Sequence, residues 1–351
     1  MGVTSKQLAE LAGVSRGTVD RALNDRGRVN PDTARRIKEL AKELGYEPNR
    51  YGQALGKSSE HFKIGVILQS AETPTMQIVA EGVDQAKKEL NAMGTEVYRE
   101  EVLQLDSDAV LSCIDHFMGE KVQGLAITPS DSQVINDRIR SLSDQGFPVI
   151  TMNSDSPDSG RLCFVGMDNY RAGQTAASLM KLMFPHGGKV FPLTGHLNNT
   201  AHKMRLAGFT ETLQADPSSK MTLLPFHPCL DRDDLAYELV QDVLNSDPDL
   251  GGIYVAANGQ SGVCDAVRDA GLEKQIRVIA FDSTPDNNRL LEENRIHILL
   301  DQEAFLQGYQ PPMLLQEYLM SRRKPQQELL YTDIRVCTKY NIEPPIPARF
   351  S

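Results

Sequence analysis

Apolar residues in the first fifty positions recur at helical spacing, in three short groups separated by turn residues. Leu8, Leu11 and Ala12 make one stripe, and Val14, Val19, Ala22 and Leu23 make a second. Thr4 or Ser5 can cap the first helix and Ser15 the second. Gly13 lies between them, where a tight turn takes positive φ at no steric cost. A third helix is predicted over residues 30–46, with Pro31 in its first turn and Gly45 at its end. Its apolar face is Ala34, Ile37, Leu40, Ala41 and Leu44. Two short helices around a tight turn predict a helix-turn-helix, whose second helix enters the DNA major groove by its N-terminal end.

From Lys63 the rhythm changes. Short, continuous apolar runs at 64–68, 124–128, 148–152, 189–193, 252–256 and 278–281 alternate with amphipathic stretches at 76–93, 132–145, 172–183, 233–245 and 262–270. Continuous rather than alternating apolarity is what a parallel strand covered on both faces requires. Repeated β-α order therefore predicts parallel, doubly wound sheets with right-handed crossovers. About ten strands over roughly 280 residues suit two lobes better than one sheet. Ligands in such folds bind at the C-terminal ends of the strands. Polar residues cluster there: Ser70 to Thr75, Thr128 to Asp131, Asn153 to Asp155, Asn198 to Thr200, Asn258, Asp282 to Asp286, and Asp301-Gln302.

Charge adds a division of labour. The chain of 351 residues has a net charge of −10, but residues 1–60 hold 11 Lys+Arg against 8 Asp+Glu. A modestly basic head on an acidic body fits a small DNA module joined to a larger domain that does not touch DNA. No apolar run reaches the roughly 20 residues that span a bilayer, and the first residues lack the apolar core of a signal peptide, so a cytoplasmic location and no membrane partner are expected. Five dispersed cysteines without a C-x-x-C fit reduced thiols. His196 and His202 are six apart, and the seven histidines show no metal-ligand spacing. There is no phosphate-loop motif and no G-x-S-x-G, so neither a metal, a cofactor nor a catalytic constellation is expected.

The head carries a longer register as well. Leu8-Ala9, Ala12-Gly13-Val14-Ser15, Thr18-Val19, Arg21, Leu23-Asn24, Leu44-Gly45-Tyr46, Pro48-Asn49 and Leu55 together resemble the LacI/GalR family of bacterial transcriptional regulators. The resemblance implies that Arg16, Gly17 and Arg21 face base edges, where an arginine can pair bidentately with guanine. Gly17 offers no side chain, so the base at its position goes unread. Ser5, Ser15, Thr18 and Asn24 are implied phosphate contacts, which position without specifying, and Asn49 belongs to the same DNA-facing set. Leu55 matches an apolar wedge inserted into the minor groove. Gly52, where the family usually has alanine, weakens that hinge helix by about 1 kcal/mol. The implied domains are a head at 1–47, a hinge at 48–61 and a body at 62–351. One lobe would comprise about 62–164 and 301–326, the other about 165–300 and 327–351.

The body, over about 62–340, resembles the type I periplasmic-binding-protein fold. Val278 to Asp286, Arg205-Leu206-Ala207-Gly208-Phe209 and Asp168-Asn169-Tyr170-Arg171-Ala172-Gly173 carry the likeness. In such proteins a sugar sits between the lobes, at positions matching Thr73, Asn153, Arg205, Asn258, Asp282 and Gln302. The chemistry suits a polyol: Asp282 would accept from two hydroxyls, Arg205 is an always-charged donor fork, and the three amides donate and accept at once. Taken alone, Asp282 could instead cap the helix after Pro285, and Arg205 could be an ordinary ion-pair partner. Thr75 and Met76 stand where aromatics often stack on a sugar ring, Asn153 where a carboxylate is common, and Gly259 where an Asp is common.

The family likeness implies a homodimeric repressor on a pseudo-palindromic, double-stranded operator, controlled by a sugar- or polyol-like effector. The rival readings are a solute-binding protein of a transport system and an α/β enzyme with an appended head. Leu55 is the lone large apolar residue in 53–59. Leu55→Ala is expected to weaken operator binding and reduce the DNA bend while leaving ligand affinity intact. A circular-permutation mobility assay reads the bend, and an unchanged bend rejects the wedge.

Overall fold

The computed structural model describes residues 5–23, 29–43 and 61–342. The chain divides into two compact units, residues 1–61 and 62–351. In the first unit, α1 (Ser5–Ala12), α2 (Arg16–Leu23) and α3 (Pro31–Glu43) enclose a core of Leu8, Ala9, Ala12, Val19, Ala22, Ile37 and Ala41. Gly13 takes φ +63° in the turn. Ser15 caps α2, its Oγ accepting from Thr18 N at 3.1 Å. Asn30 caps α3 in the same way, Oδ1 accepting from Asp32 N at 2.9 Å, with Pro31 at the first helical position. Ser5 is already the first residue of α1, and Thr4 lies outside the described residues. Leu11 corrects the expected stripe: it is 56% exposed. The buried face is centred between Ala12 and Ala9, and at about 100° per residue Leu11 lies well round from it.

The second unit holds two sheets. The first contains β1 (Lys63–Gln69), β2 (Glu96–Val102), β3 (Gly124–Ile127), β4 (Val149–Met152), β5 (Cys163–Met167) and β12 (Leu329–Thr332), in the order β12-β5-β4-β3-β1-β2, all parallel. The second contains β6 (Gly188–Thr194), β7 (Met221–Leu223), β8 (His227–Pro228), β9 (Leu250–Val255), β10 (Arg277–Phe281), β11 (Ile298–Asp301) and β13 (Arg335–Cys337). Its order is β13-β11-β10-β9-β6-β7, with β8 also on β6. Here β13 runs antiparallel to β11, an exception to the expected all-parallel order.

The described residues thus hold thirteen strands rather than about ten. The additional ones are mostly edges. β2 reads EVYREEV, charged on its open side as an edge strand must be to avoid pairing with another chain.

Among the described residues nine α-helices cover the sheets: α4 (Pro74–Ala92), α5 (Ser107–Gly119), α6 (Gln133–Asp144), α7 (Asn169–Met183), α8 (Thr200–Gln214), α9 (Asp233–Ser246), α10 (Gln260–Asp269), α11 (Pro285–Glu292) and α12 (Ala304–Ser321). No helix among the described residues is long and apolar enough to cross a membrane. The chain passes between the lobes after β5, after β11 and after β12. The last crossing comes later than the expected 327, because Leu329 to Thr332 pair in parallel with Phe164 to Met167 of the first sheet.

In each lobe a helix pair is drawn together by two glycines. A Cβ at Gly82 of α4 would lie 2.1 Å from Phe305 O, and one at Gly308 of α12 would lie 1.9 Å from Val79 O. In the second lobe, a Cβ at Gly173 of α7 would lie 2.2 Å from Arg205 O, and one at Gly208 of α8 would lie 2.1 Å from Tyr170 O. Close backbone contact of this kind leaves no room for a methyl group, and overpacking costs about 1–3 kcal/mol. Gly308→Ala is therefore expected to lower stability by that amount in chemical denaturation. Gly119→Ala, where a Cβ meets nothing within 4 Å, serves as the unaffected control.

Candidate ligand cleft and DNA-facing helix

Parallel strands of both lobes point their C-terminal ends into one cleft of about 550 Å³, counting the part open to solvent. All eight positions singled out in the sequence line it: Thr73, Thr75, Met76, Asn153, Arg205, Asn258, Asp282 and Gln302.

The centre is Asp282, just after β10. Its backbone sits at φ +104°, unusual for a residue with a side chain. Asn287 Nδ2 donates to its carbonyl at 3.0 Å and holds it there. Thr284, not Asp282, caps α11, its Oγ1 accepting from Asn287 N at 3.3 Å, so the carboxylate is left for the cleft. Thr75 Oγ1, from the first lobe, donates to Asp282 Oδ2 at 2.7 Å. Gln302 Nε2, at the second crossing, donates to Oδ1 at 2.8 Å. Asn153 Nδ2 in turn donates to Gln302 Oε1 at 3.3 Å and to Gln307 Oε1 at 3.0 Å. Each Asp282 oxygen therefore already has one protein donor and keeps one lone pair for a ligand. The two-hydroxyl expectation is refined: Thr75 supplies one hydroxyl from within the protein.

Arg205 is 2% exposed. Its Nε donates to Asn169 Oδ1 at 2.8 Å and Nη1 to Ala256 O at 3.3 Å, and the guanidinium lies 4.0 Å from the Phe281 ring centre. Burial pulls its pKa down, and the negative Asp282 opposes that pull. The aromatic ring nearest the cleft, Phe281, is buried beneath the arginine as a cation–π platform, and Thr75 and Met76 line the cleft where a stacking ring was expected. Thr73 caps α4 without bonding its backbone N–H groups; its hydroxyl donates to Ser70 O at 2.9 Å. Asn258 donates twice to Asp231 Oδ1, from its backbone N at 3.0 Å and Nδ2 at 3.2 Å.

Asp231, His202, Gln69 and Thr128 also line the cleft and were not among the sequence candidates. Gln69 is 1% exposed, and neither amide atom has a partner; Thr128 Oγ1 and His202 Nδ1 are likewise buried without one. An unpaired buried polar atom costs about 1–3 kcal/mol, a cost that a hydroxyl reaching these atoms would offset. Gln69 could have been found as the polar residue ending an otherwise apolar strand. Thr128 lay in a polar strand-end cluster. Asp231, in the loop between β8 and α9, had no motif to mark it.

In the head, Arg16 begins α2, and Gly17 and Arg21 lie one turn apart on its exposed side, opposite buried Val19 and Ala22. Ser15 and Thr18 are tied together at the helix start, Oγ to Oγ1 at 2.9 Å. The side chains of Ser5 and Arg16 and the whole of Asn24, Asn49 and Leu55 lie outside the described residues.

Residues 4–49 match the family described as bacterial regulatory proteins, lacI family, and residues 64–323 match the periplasmic binding protein domain. The chain belongs to the lacI family of bacterial regulatory proteins. This regulator is similar to catabolite control protein A of Streptococcus mutans, 24% identical over 253 residues, which are 70% of each chain. It is also similar to the ribose import binding protein RbsB of Bacillus subtilis, 23% identical over 252 residues, 72% of this chain and 79% of that protein. The fold is shared with GanP, a glucose-galactose binding protein from Geobacillus stearothermophilus, at TM-score 0.74 and 23% identity, covering 81% of this chain and 99% of that one. The regulator is thus a DNA-binding protein whose body has the architecture of a solute receptor.

The cleft also shapes the pH dependence of the regulator. Burial first, and then the negative Asp282, push the Asp301 carboxyl up to about 6. An unfolded Asp titrates near ~3.9, so the folded protein holds this proton more tightly. The stabilisation is complete below about pH 4 and is lost as pH rises through about 6. Asp301→Asn removes that loss. Between pH 4 and pH 7 the variant is expected to gain about 1–3 kcal/mol relative to the parent. Parallel denaturation curves at the two pH values test this, and an unchanged difference rejects it.

Proposed function

We propose that this regulator is a homodimeric, cytoplasmic repressor without catalytic activity. It reads a pseudo-palindromic operator through α2 and senses a sugar- or polyol-like effector in the cleft. The observation that carries this reading is the Thr75–Asp282 hydrogen bond, which joins the two lobes at the positions expected to hold the effector. A ligand at Asp282 meets groups from both lobes, so occupancy and closure are linked. Lys203 Nζ with Asp131 Oδ2 at 2.6 Å, and Asp131 N with Asn198 O at 2.8 Å, add lobe-to-lobe contacts at the rim.

The lining favours hydroxyls. Asn153, Asn258 and Gln302 donate and accept, Arg205 donates, and Asp282 accepts, which together match a molecule whose every polar group does both. The names of RbsB and GanP point to sugars for those relatives, and we extend that class to this cleft. Allosteric couplings of this kind are typically about 1–3 kcal/mol. Repression needs only that a bound dimer block polymerase, whereas activation needs a further contact.

Arg205→Ala and Asp282→Ala are expected to lose the effector response and retain operator binding. Arg21→Ala should do the reverse, costing about 1–3 kcal/mol of specific binding at matched salt. The operator is first obtained by selection from random duplexes with the full-length protein. Calorimetry and salt-matched DNA titrations then read the variants. Parent-like effector affinity in both cleft variants would move the effector site elsewhere.

A further inference from the structure

β6 is followed by Gly195, and two side chains of the second lobe converge where its Cβ would be. That atom would lie 2.5 Å from Asp231 Oδ1 and 2.6 Å from His202 Nδ1. Both side chains line the cleft. The Asp231 side chain is 11% exposed, and His196 Nε2 lies 3.9 Å from its Oδ2, beyond hydrogen-bond distance. His202 is 9% exposed and its Nδ1 has no partner. Leu230 and Asp231 both adopt the left-handed conformation, at φ +54° and +59°, at the turn that presents the carboxylate.

The charges of the lining do not balance. Asp231 and Asp282 are set against one guanidinium, Arg205. The donors that reach the carboxylates are neutral: Asn258 for Asp231, and Thr75 and Gln302 for Asp282. Arg205 likewise donates to neutral acceptors, Asn169 and Ala256. A ligand anion entering here meets two carboxylates at short range in a site that screens charge poorly. The same field acts one strand away, where Asp282 helps push up the Asp301 carboxyl.

The geometry points to Asp231 and His202 as a further effector-anchoring pair that takes a hydroxyl or ammonium donor from a polyol bearing no phosphate or carboxylate. Asp231 accepts from the donor, and His202 supplies the second polar contact through Nδ1. This inference rests on the cleft being the effector site. It narrows the effector class to neutral and amine-bearing polyols, and it gives His202 a partner that the protein itself does not provide.

The test uses the full-length protein and a panel of pentoses, hexoses and inositols, each with its available amino and phosphate derivatives. Thermal shift finds the binders and calorimetry ranks each matched set. A neutral or amino compound is expected to bind at least tenfold more tightly than its phosphate. Asp231→Asn is expected to weaken the best binder at least tenfold and to narrow its margin over the phosphate. An amino sugar that outbinds its parent, with the advantage lost in Asp231→Asn, assigns the donor as ammonium; equal affinities assign a hydroxyl. A phosphate that binds as well as its parent, or a folded Asp231→Asn with parent affinity, overturns the inference while leaving the cleft as the effector site. A panel silent throughout overturns the sugar and polyol reading itself, and this inference with it. If Asp231→Asn loses its cooperative unfolding transition, His202→Gln, at a separate element, is put through the same ranking, and parent affinity in it overturns the pair.

Discussion

One hydrogen bond, Thr75 Oγ1 to Asp282 Oδ2, closes the body of this protein on itself. The two residues come from different sheets and lie over two hundred positions apart. Much of the cleft exists to make that meeting possible. Pro74 starts α4 so that Thr75 falls in its first turn, and Thr284 takes over the capping of α11 so that Asp282 is free. Gln302 braces the other oxygen from the crossing just after β11, and Asn153 and Gln307 hold Gln302 in turn. A carboxylate kept this far from water needs all of these donors, because the cost of a buried charge rises steeply when one is missing.

Much of this was legible in the sequence, for a physical reason. A central parallel strand must be apolar on both faces, so Ile64 to Leu68 or Val278 to Phe281 could hardly be anything else. The polar residue that follows such a run has to sit at the ligand end of the sheet, as Asn153, Asn258, Asp282 and Gln302 do, and helices entering from that end bring Thr75, Met76 and Arg205 to the same cleft. Edge strands escape this logic. β2 carries four charged residues in seven, and β8 is two residues long, so neither has an apolar run to announce it. The crossing after Thr332 was hidden similarly, because β12 is exposed along much of its length. Leu11 misled because a helix of eight residues has room for more than one apolar stripe. Asp231 and His202 were illegible because their proximity depends on Gly195, a residue distant in sequence from Asp231 and unremarkable by itself.

The two short motifs of the second lobe turn out to be one structural statement. Asn169 to Gly173 and Arg205 to Phe209 lie on α7 and α8, and each glycine admits the backbone of the other helix. The close approach lets Asn169 reach Arg205 Nε. It also stacks Phe209 on Tyr254 at 3.9 Å between ring centres, and Tyr254 meets edge-on the Phe281 ring that lies under the guanidinium. Packing and recognition are therefore coupled: the glycines are what bring the arginine's anchoring partner within reach. In the first lobe, Gly82 and Gly308 join α4 to α12 in the same manner and fix the helix whose first turn carries Thr75.

The closed arrangement sets a condition on any effector. A ligand shifts an equilibrium between open and closed lobes only by its difference in affinity for the two. Thr75 already gives Asp282 a donor in the closed form, so a ligand that merely replaced Thr75 would gain little. The differential must come from groups that the closed protein leaves unpaired. Gln69 and Thr128 are such groups on the first lobe, and His202 Nδ1 is one on the second. A molecule that reaches both walls satisfies them together only when the lobes are shut. On the proposed reading of the cleft, these atoms are the ones a bound molecule would satisfy, while the Thr75–Asp282 bond joins the lobes without one.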